Sequence, residues 1–231
     1  MATLGVTSLE LCSPGYREFA SLANAKEAVR VMNDAGIKCP SAHFTLNELR
    51  NKQQEMIGWA HEIGMTQMGT ASLNGQVQDG TTTMDVVKRL AEEYNKIGEA
   101  AAKAGIQQFL HDERFEMAKV DGRVVYEVLL EQLDPKLVKM QFQMSAMPAV
   151  GDVVGYFTKY PGRFISMHLQ GVPEGATGTG RTPGVAVGKD SLDWAKIFAA
   201  AKTGGVKNYF VEQTWDLTVQ SVDYLKGLKV G

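Results

Sequence analysis

Gly162-Arg163-Phe164-Ile165-Ser166-Met167-His168-Leu169-Gln170-Gly171 is an apolar run that opens on a turn signal, carries an imidazole near its far end and passes into a long Gly/Thr/Pro loop. A buried parallel strand reads this way when it delivers a polar side chain to the mouth of an α/β fold. One histidine at a strand end is more often a satisfied structural group than a site. The pattern gains weight because it recurs along the chain.

Upstream, strands are predicted at 6–12, 37–44, 65–71, 106–111 and 138–144, and downstream at 206–212. Between them, helical spacing and Gly or Pro stops predict helices at 23–35, 46–63, 85–104, 126–133, 150–159, 192–202 and 218–228. Loops are expected at 72–83, 112–123 and 172–189. Strands alternating with helices imply a parallel sheet with right-handed crossovers. The strand ends follow one another by about 33 residues on average, against roughly 31 per unit in an eight-unit TIM barrel of about 250 residues. The step fits a TIM-barrel-like (β/α) barrel, but seven strands are readable, so the expected barrel is incomplete or gapped and spans residues 1–231 as one domain.

At 231 residues, 44% hydrophobic and 22% charged, the chain can bury a full core. A net charge of −2 without a Lys/Arg cluster argues against nucleic acid or an anionic membrane as partner. Small molecules are the better expectation. Cys12 and Cys39 follow no metal-ligand spacing and are too few for a disulfide framework, so a reducing, cytoplasmic setting is expected. No apolar run reaches the roughly 20 residues of a membrane helix, and no charged-then-apolar leader follows Met1.

In a parallel barrel all strand C-termini open on one face. The residues placed there are Glu10, His43, His111, Gln143, His168 and Glu212, including three of the four histidines. Two imidazoles, a carboxylate and a carboxamide oxygen suit a borderline divalent cation such as Mn²⁺, Co²⁺, Fe²⁺ or Zn²⁺. The competing account is a wet cavity whose polar groups satisfy one another.

The chain resembles the sugar phosphate isomerase/epimerase family with the xylose-isomerase-like TIM barrel. The resemblance is carried by Leu9-Glu10-Leu11-Cys12-Ser13-Pro14-Gly15-Tyr16, Ser41-Ala42-His43-Phe44 and His111-Asp112-Glu113-Arg114-Phe115-Glu116. It continues through Asp134-Pro135, Gln141-Phe142-Gln143, Tyr160-Pro161-Gly162-Arg163-Phe164, His168-Leu169 and Phe210-Val211-Glu212-Gln213. By that alignment Glu10 belongs to the family's second strand, so the first βα unit is missing. Three departures stand out: His111-Asp112-Glu113 replaces His-Asn-His, Gln143 replaces an aspartate, and Gln170-Gly171 replaces Lys-Asp.

The resemblance implies proton transfer beside a sugar carbonyl through an enediolate, assisted by a divalent metal (Mn, Co, Zn or Mg). It implies His111, Gln143, His168 and Glu212 as metal ligands, with Glu212 and Glu113 or Glu116 as acid/base groups. Glu10 and His43 would hold sugar hydroxyls, and Trp215 would stack on a sugar face. A solvated loop at Glu113 and Glu116, and a structural role for Trp215, are equally good readings of those residues. The substituted positions motivate an alternative, a degenerate barrel that binds sugar or serves as a partner subunit. Seven strands would leave sheet edges exposed, so a homo-oligomer is expected.

Overall fold

The computed structural model describes residues 2–73, 82–146, 151–176 and 184–230. Parts of the loops expected at 72–83 and 172–189, and residue 150 of the helix expected at 150–159, lie outside the described residues. Among the described residues, strands β1 (Ser8–Cys12), β2 (Lys38–His43), β3 (Gln67–Thr70), β4 (Gln107–His111), β7 (Val138–Gln143), β8 (Phe164–Leu169) and β9 (Asn208–Val211) make one parallel sheet in that order. The short strands β5 (Lys119–Val120) and β6 (Arg123–Val124) form a separate antiparallel hairpin. Helices α1 (Ala25–Asp34), α2 (Leu46–Asn51), α3 (Gln53–Ile63), α4 (Met84–Lys103), α5 (Arg114–Met117), α6 (Val125–Gln132), α7 (Val153–Lys159), α8 (Trp194–Gly204) and α9 (Trp215–Gly227) complete the (β/α) pattern. None of the described helices is long and apolar enough to cross a membrane.

Packing divides the chain into two compact units, Met1–His111 with Ala118–Lys139, and Asp112–Met117 with Met140–Gly231. In the first, Tyr94 of α4 is fully buried and ties the helix to the sheet. Its hydroxyl donates to Phe109 O at 2.6 Å and accepts from Thr70 N–H at 3.1 Å and Gln108 Nε2 at 2.7 Å. In the second, Phe164 meets Phe142 and Phe157 edge to face and Phe142 is tilted against Phe157, with ring centroids 4.8–6.2 Å apart.

Two β-bulges decide where histidines point. Ser8 pairs with Lys38 and Glu10 with Ser41, so Cys39-Pro40 oppose Leu9 alone. A proline is tolerated there because a bulge has no ladder bond for it to break. Cys39 Sγ donates to Ser41 O at 3.2 Å, while Ser41 and His43 face Glu10. On β8, Met140 pairs with Phe164 but Gln141 with Ser166, which leaves Ile165 as the extra residue. Phe164 therefore packs on Phe157, while Ser166 accepts from Gln141 and His168 meets Glu212. Both histidines end a Ser-X-His segment that follows a bulge.

Two expectations are corrected. The helix at 46–63 is two helices, because Lys52 leaves the helical region (φ −136°, ψ 24°) and serves as C-cap of α2 and N-cap of α3. The stretch 112–123 is not a plain loop: it holds α5 and the β5–β6 hairpin. Asp121 and Gly122, at φ 48° and 77°, make its two-residue turn, the backbone an Asp-Gly pair favours between strands.

Helix α3 ends on Gly64 in the left-handed conformation (φ 89°), where an added Cβ meets nothing within 4 Å. Gly64→Ala isolates the backbone term, and its expected cost is about 1–2 kcal/mol. Urea unfolding checks this; an unchanged midpoint would contradict it.

Candidate functional site

In the first unit, Glu10, Ser41, His43 and His111 gather at the C-terminal ends of β1, β2 and β4. Glu10 takes the Ser41 hydroxyl on Oε1 and lies 3.3 Å from His43 Nε2 through Oε2. The Glu10 and His43 side chains are almost fully buried. The His43 ring stands 5.0 Å from the His111 ring and 5.6 Å from Phe109. Close by, buried Glu48 accepts from Ser13 Oγ at 2.7 Å, Thr45 N–H at 2.8 Å and Thr45 Oγ1 at 2.7 Å. That carboxylate fills the space a side chain at position 15 would need, so the Ser13-Pro14-Gly15 turn is built around it.

In the second unit, Gln143, His168, Gln170 and Glu212 converge. Glu212 directly follows β9 and is held in register by its N–H on Leu169 O at 3.2 Å. Its Oε2 accepts from Gln143 Nε2 at 2.6 Å, Gln170 Nε2 at 3.0 Å and His168 Nδ1 at 3.2 Å. A carboxylate on Nδ1–H fixes the tautomer of His168 and leaves Nε2 as a lone-pair donor. Because Glu212 demands a donor from Gln143, the orientation of that carboxamide is also set. Its Oε1 is buried, with no hydrogen-bond partner among the described residues.

Asp112 is fully buried in the same unit, and its Oδ1 accepts from Gln143 N–H at 3.0 Å. Burial pushes its carboxyl well above the usual range; the Gln143 N–H works against this, Glu116 and Glu113 add to it, and His168 opposes it.

The remaining expected residues separate. Glu116 is fully buried and turned back on Glu113 N–H at 3.0 Å, while Glu113 itself is exposed. Trp215 opens α9 and is 54% exposed. Asp112 was not among the expected site residues; an acid directly after the strand-end His111 is the signal that could have marked it.

His43 and His111 in the first unit, and His168 in the second, are buried imidazoles, the nitrogen ligand type that a borderline divalent cation takes. Gln143 Oε1 fits an oxygen-ligand role, since it is a buried acceptor with its other amide atom already engaged.

No family model matches the sequence, and no curated protein matches it. Among solved structures, the neighbours include sugar phosphate isomerase/epimerase and xylose-isomerase-like TIM barrels, and also an AP endonuclease, family 2, from Brucella melitensis. Two are sugar phosphate isomerase/epimerases from Parabacteroides distasonis ATCC 8503, at 22% and 18% identity and TM-scores of 0.76 and 0.78. They cover 99% and 100% of this chain and 88% and 90% of their own. A xylose isomerase domain protein from Planctomyces limnophilus is 14% identical over 97% of this chain and 88% of its own, with a TM-score of 0.73. D-psicose 3-epimerase, solved in the presence of D-fructose, is 16% identical over 95% of this chain and 81% of its own, with a TM-score of 0.64. At these identities the likeness shows the TIM-barrel fold, which hosts many chemistries.

Proposed function

We propose that this chain is a metal-dependent isomerase or epimerase of a sugar or sugar phosphate. The observation that carries the reading is the convergence of His168, Gln143 and Gln170 on the Glu212 carboxylate, with Gln143 Oε1 left over as a buried acceptor. His168 through Nε2, Gln143 through Oε1 and the Glu212 carboxylate would hold a divalent cation, and His111 is the further imidazole proposed for it. When bound, such a cation supplies Lewis-acid polarisation of a carbonyl and its neighbouring hydroxyl.

Glu212 serves as the base. Its side chain is 52% exposed, so it can reach a substrate, while the two carboxamides hold it in place. It takes the proton from the carbon beside the carbonyl, and His168 Nδ1–H stabilises the carboxylate between turnovers. Glu113, exposed at the start of α5, is the candidate for returning a proton. Glu10 and His43 would bind sugar hydroxyls, and Trp215 would stack on a sugar face. The similarity in fold to D-psicose 3-epimerase supports this choice of substrate class.

A second reading is a sugar-binding barrel without catalysis. The Gln170 Nε2 contact favours it, because three donors already satisfy Glu212 Oε2 with no cation. A screen of ketose and aldose epimerisation after loading with Mn²⁺, Co²⁺ or Zn²⁺ separates the two. The proposal expects turnover that chelation removes. Sugar binding without turnover in any metal form would leave the passive reading.

A further inference from the structure

The oxygen atoms of the second unit carry one more assignment. Gln143 brings no charge, so its site would neutralise a divalent cation poorly. Asp112 is bonded through Oδ1 to the backbone N–H of that same Gln143, and its Oδ2 is fully buried with no hydrogen-bond partner among the described residues. Glu116 and Glu113, of like sign, act against its ionisation, and His168 opposes them. Burying an acid among acids costs the fold free energy unless a cation joins it. An orphaned buried oxygen points to a missing partner, either an ion or a water. Two such oxygens, Asp112 Oδ2 and Gln143 Oε1, sit on residues linked by a hydrogen bond.

We propose that Asp112 Oδ2 is an oxygen ligand of the divalent cation beside Gln143 Oε1, and that it brings the negative charge the carboxamide lacks. The assignment rests on the proposed metal-dependent function and adds a ligand to it. It also explains why a costly buried acid sits where a neutral side chain would fold as well.

The test is binding of Co²⁺ or Zn²⁺ alone, by calorimetry and by metal-induced rise in Tm, for the full chain and two variants. Asp112→Asn keeps the Oδ1 acceptor and the side-chain shape. It is expected to bind the metal about 10- to 100-fold more weakly, with a metal-free Tm no lower than that of the unaltered chain. Gln143→Leu removes the other orphaned oxygen and is expected to weaken binding independently. Equal affinity in the unaltered chain and Asp112→Asn overturns this assignment and leaves the metal-dependent function standing. Absence of metal binding by the unaltered chain overturns both. Weaker binding accompanied by an equal loss of metal-free stability also overturns it, since Asp112 would then act on the fold.

Discussion

Glu212→Gln is expected to lower the proposed sugar epimerisation by about 10²- to 10⁴-fold, the range for removing a positioned acid or base. The substitution is nearly isosteric, and the fold should hold. What it removes is the charge that accepts from Gln143 Nε2, Gln170 Nε2 and His168 Nδ1. A carboxamide at 212 would also place donors against donors, so Gln143 or Gln170 must turn and the His168 tautomer loses its anchor. The effect should fall on kcat more than on KM if the carboxylate works mainly in the transition state. Turnover within a few-fold of the unaltered chain would move the base elsewhere, with Glu113 the next candidate.

Phe157→Ala is expected to carry the largest cost to stability, about 3–5 kcal/mol. The ring is fully buried, with Phe142 at 5.4 Å and Phe164 at 4.8 Å. It also lies against Gly204 of α8, where an added Cβ would come within 2.8 Å of the ring, so helix and ring are fitted to one another. Truncation leaves a cavity that these rings cannot collapse into without moving β8. Urea unfolding should show a lower midpoint at unchanged m. A loss below about 1 kcal/mol would mean the site repacks freely.

The strand ends are legible in the sequence because three histidines and Glu212 each fall at the end of an apolar run. The predicted end matches β4 at His111, while β2 ends at His43 and β9 at Val211, each one residue short of the predicted 44 and 212. The bulges are not legible. At Cys39-Pro40 and Ile165 one extra residue changes which alternate positions share a face, and a period-2 reading would put Phe164 beside Ser166 and His168. The break at Lys52 is hidden because apolar spacing continues across it. The Asp121-Gly122 hairpin is legible in principle, since that pair between short β-prone segments is a turn signal, but charge around it reads as loop.

The candidate site is half legible for a similar reason. Residue types suggest Gln143, His168 and Glu212, whereas the meaning of Asp112 depends on burial. An acid one position beyond His111 looks like a solvated loop residue until its side chain is seen under the Gln143 backbone. Glu116 shows the reverse. As a nearby acid it reads as a proton carrier, but its carboxylate is buried on the turn it belongs to.

Metal content tests the central claim most directly. The full chain and Glu212→Ala are loaded with Mn²⁺, Co²⁺ or Zn²⁺ at micromolar concentration, freed of excess metal and measured by elemental analysis. The account predicts stoichiometric metal in the full chain and its loss in Glu212→Ala with the fold intact. A metal-free full chain, or a Glu212→Ala variant that keeps its metal, would contradict it.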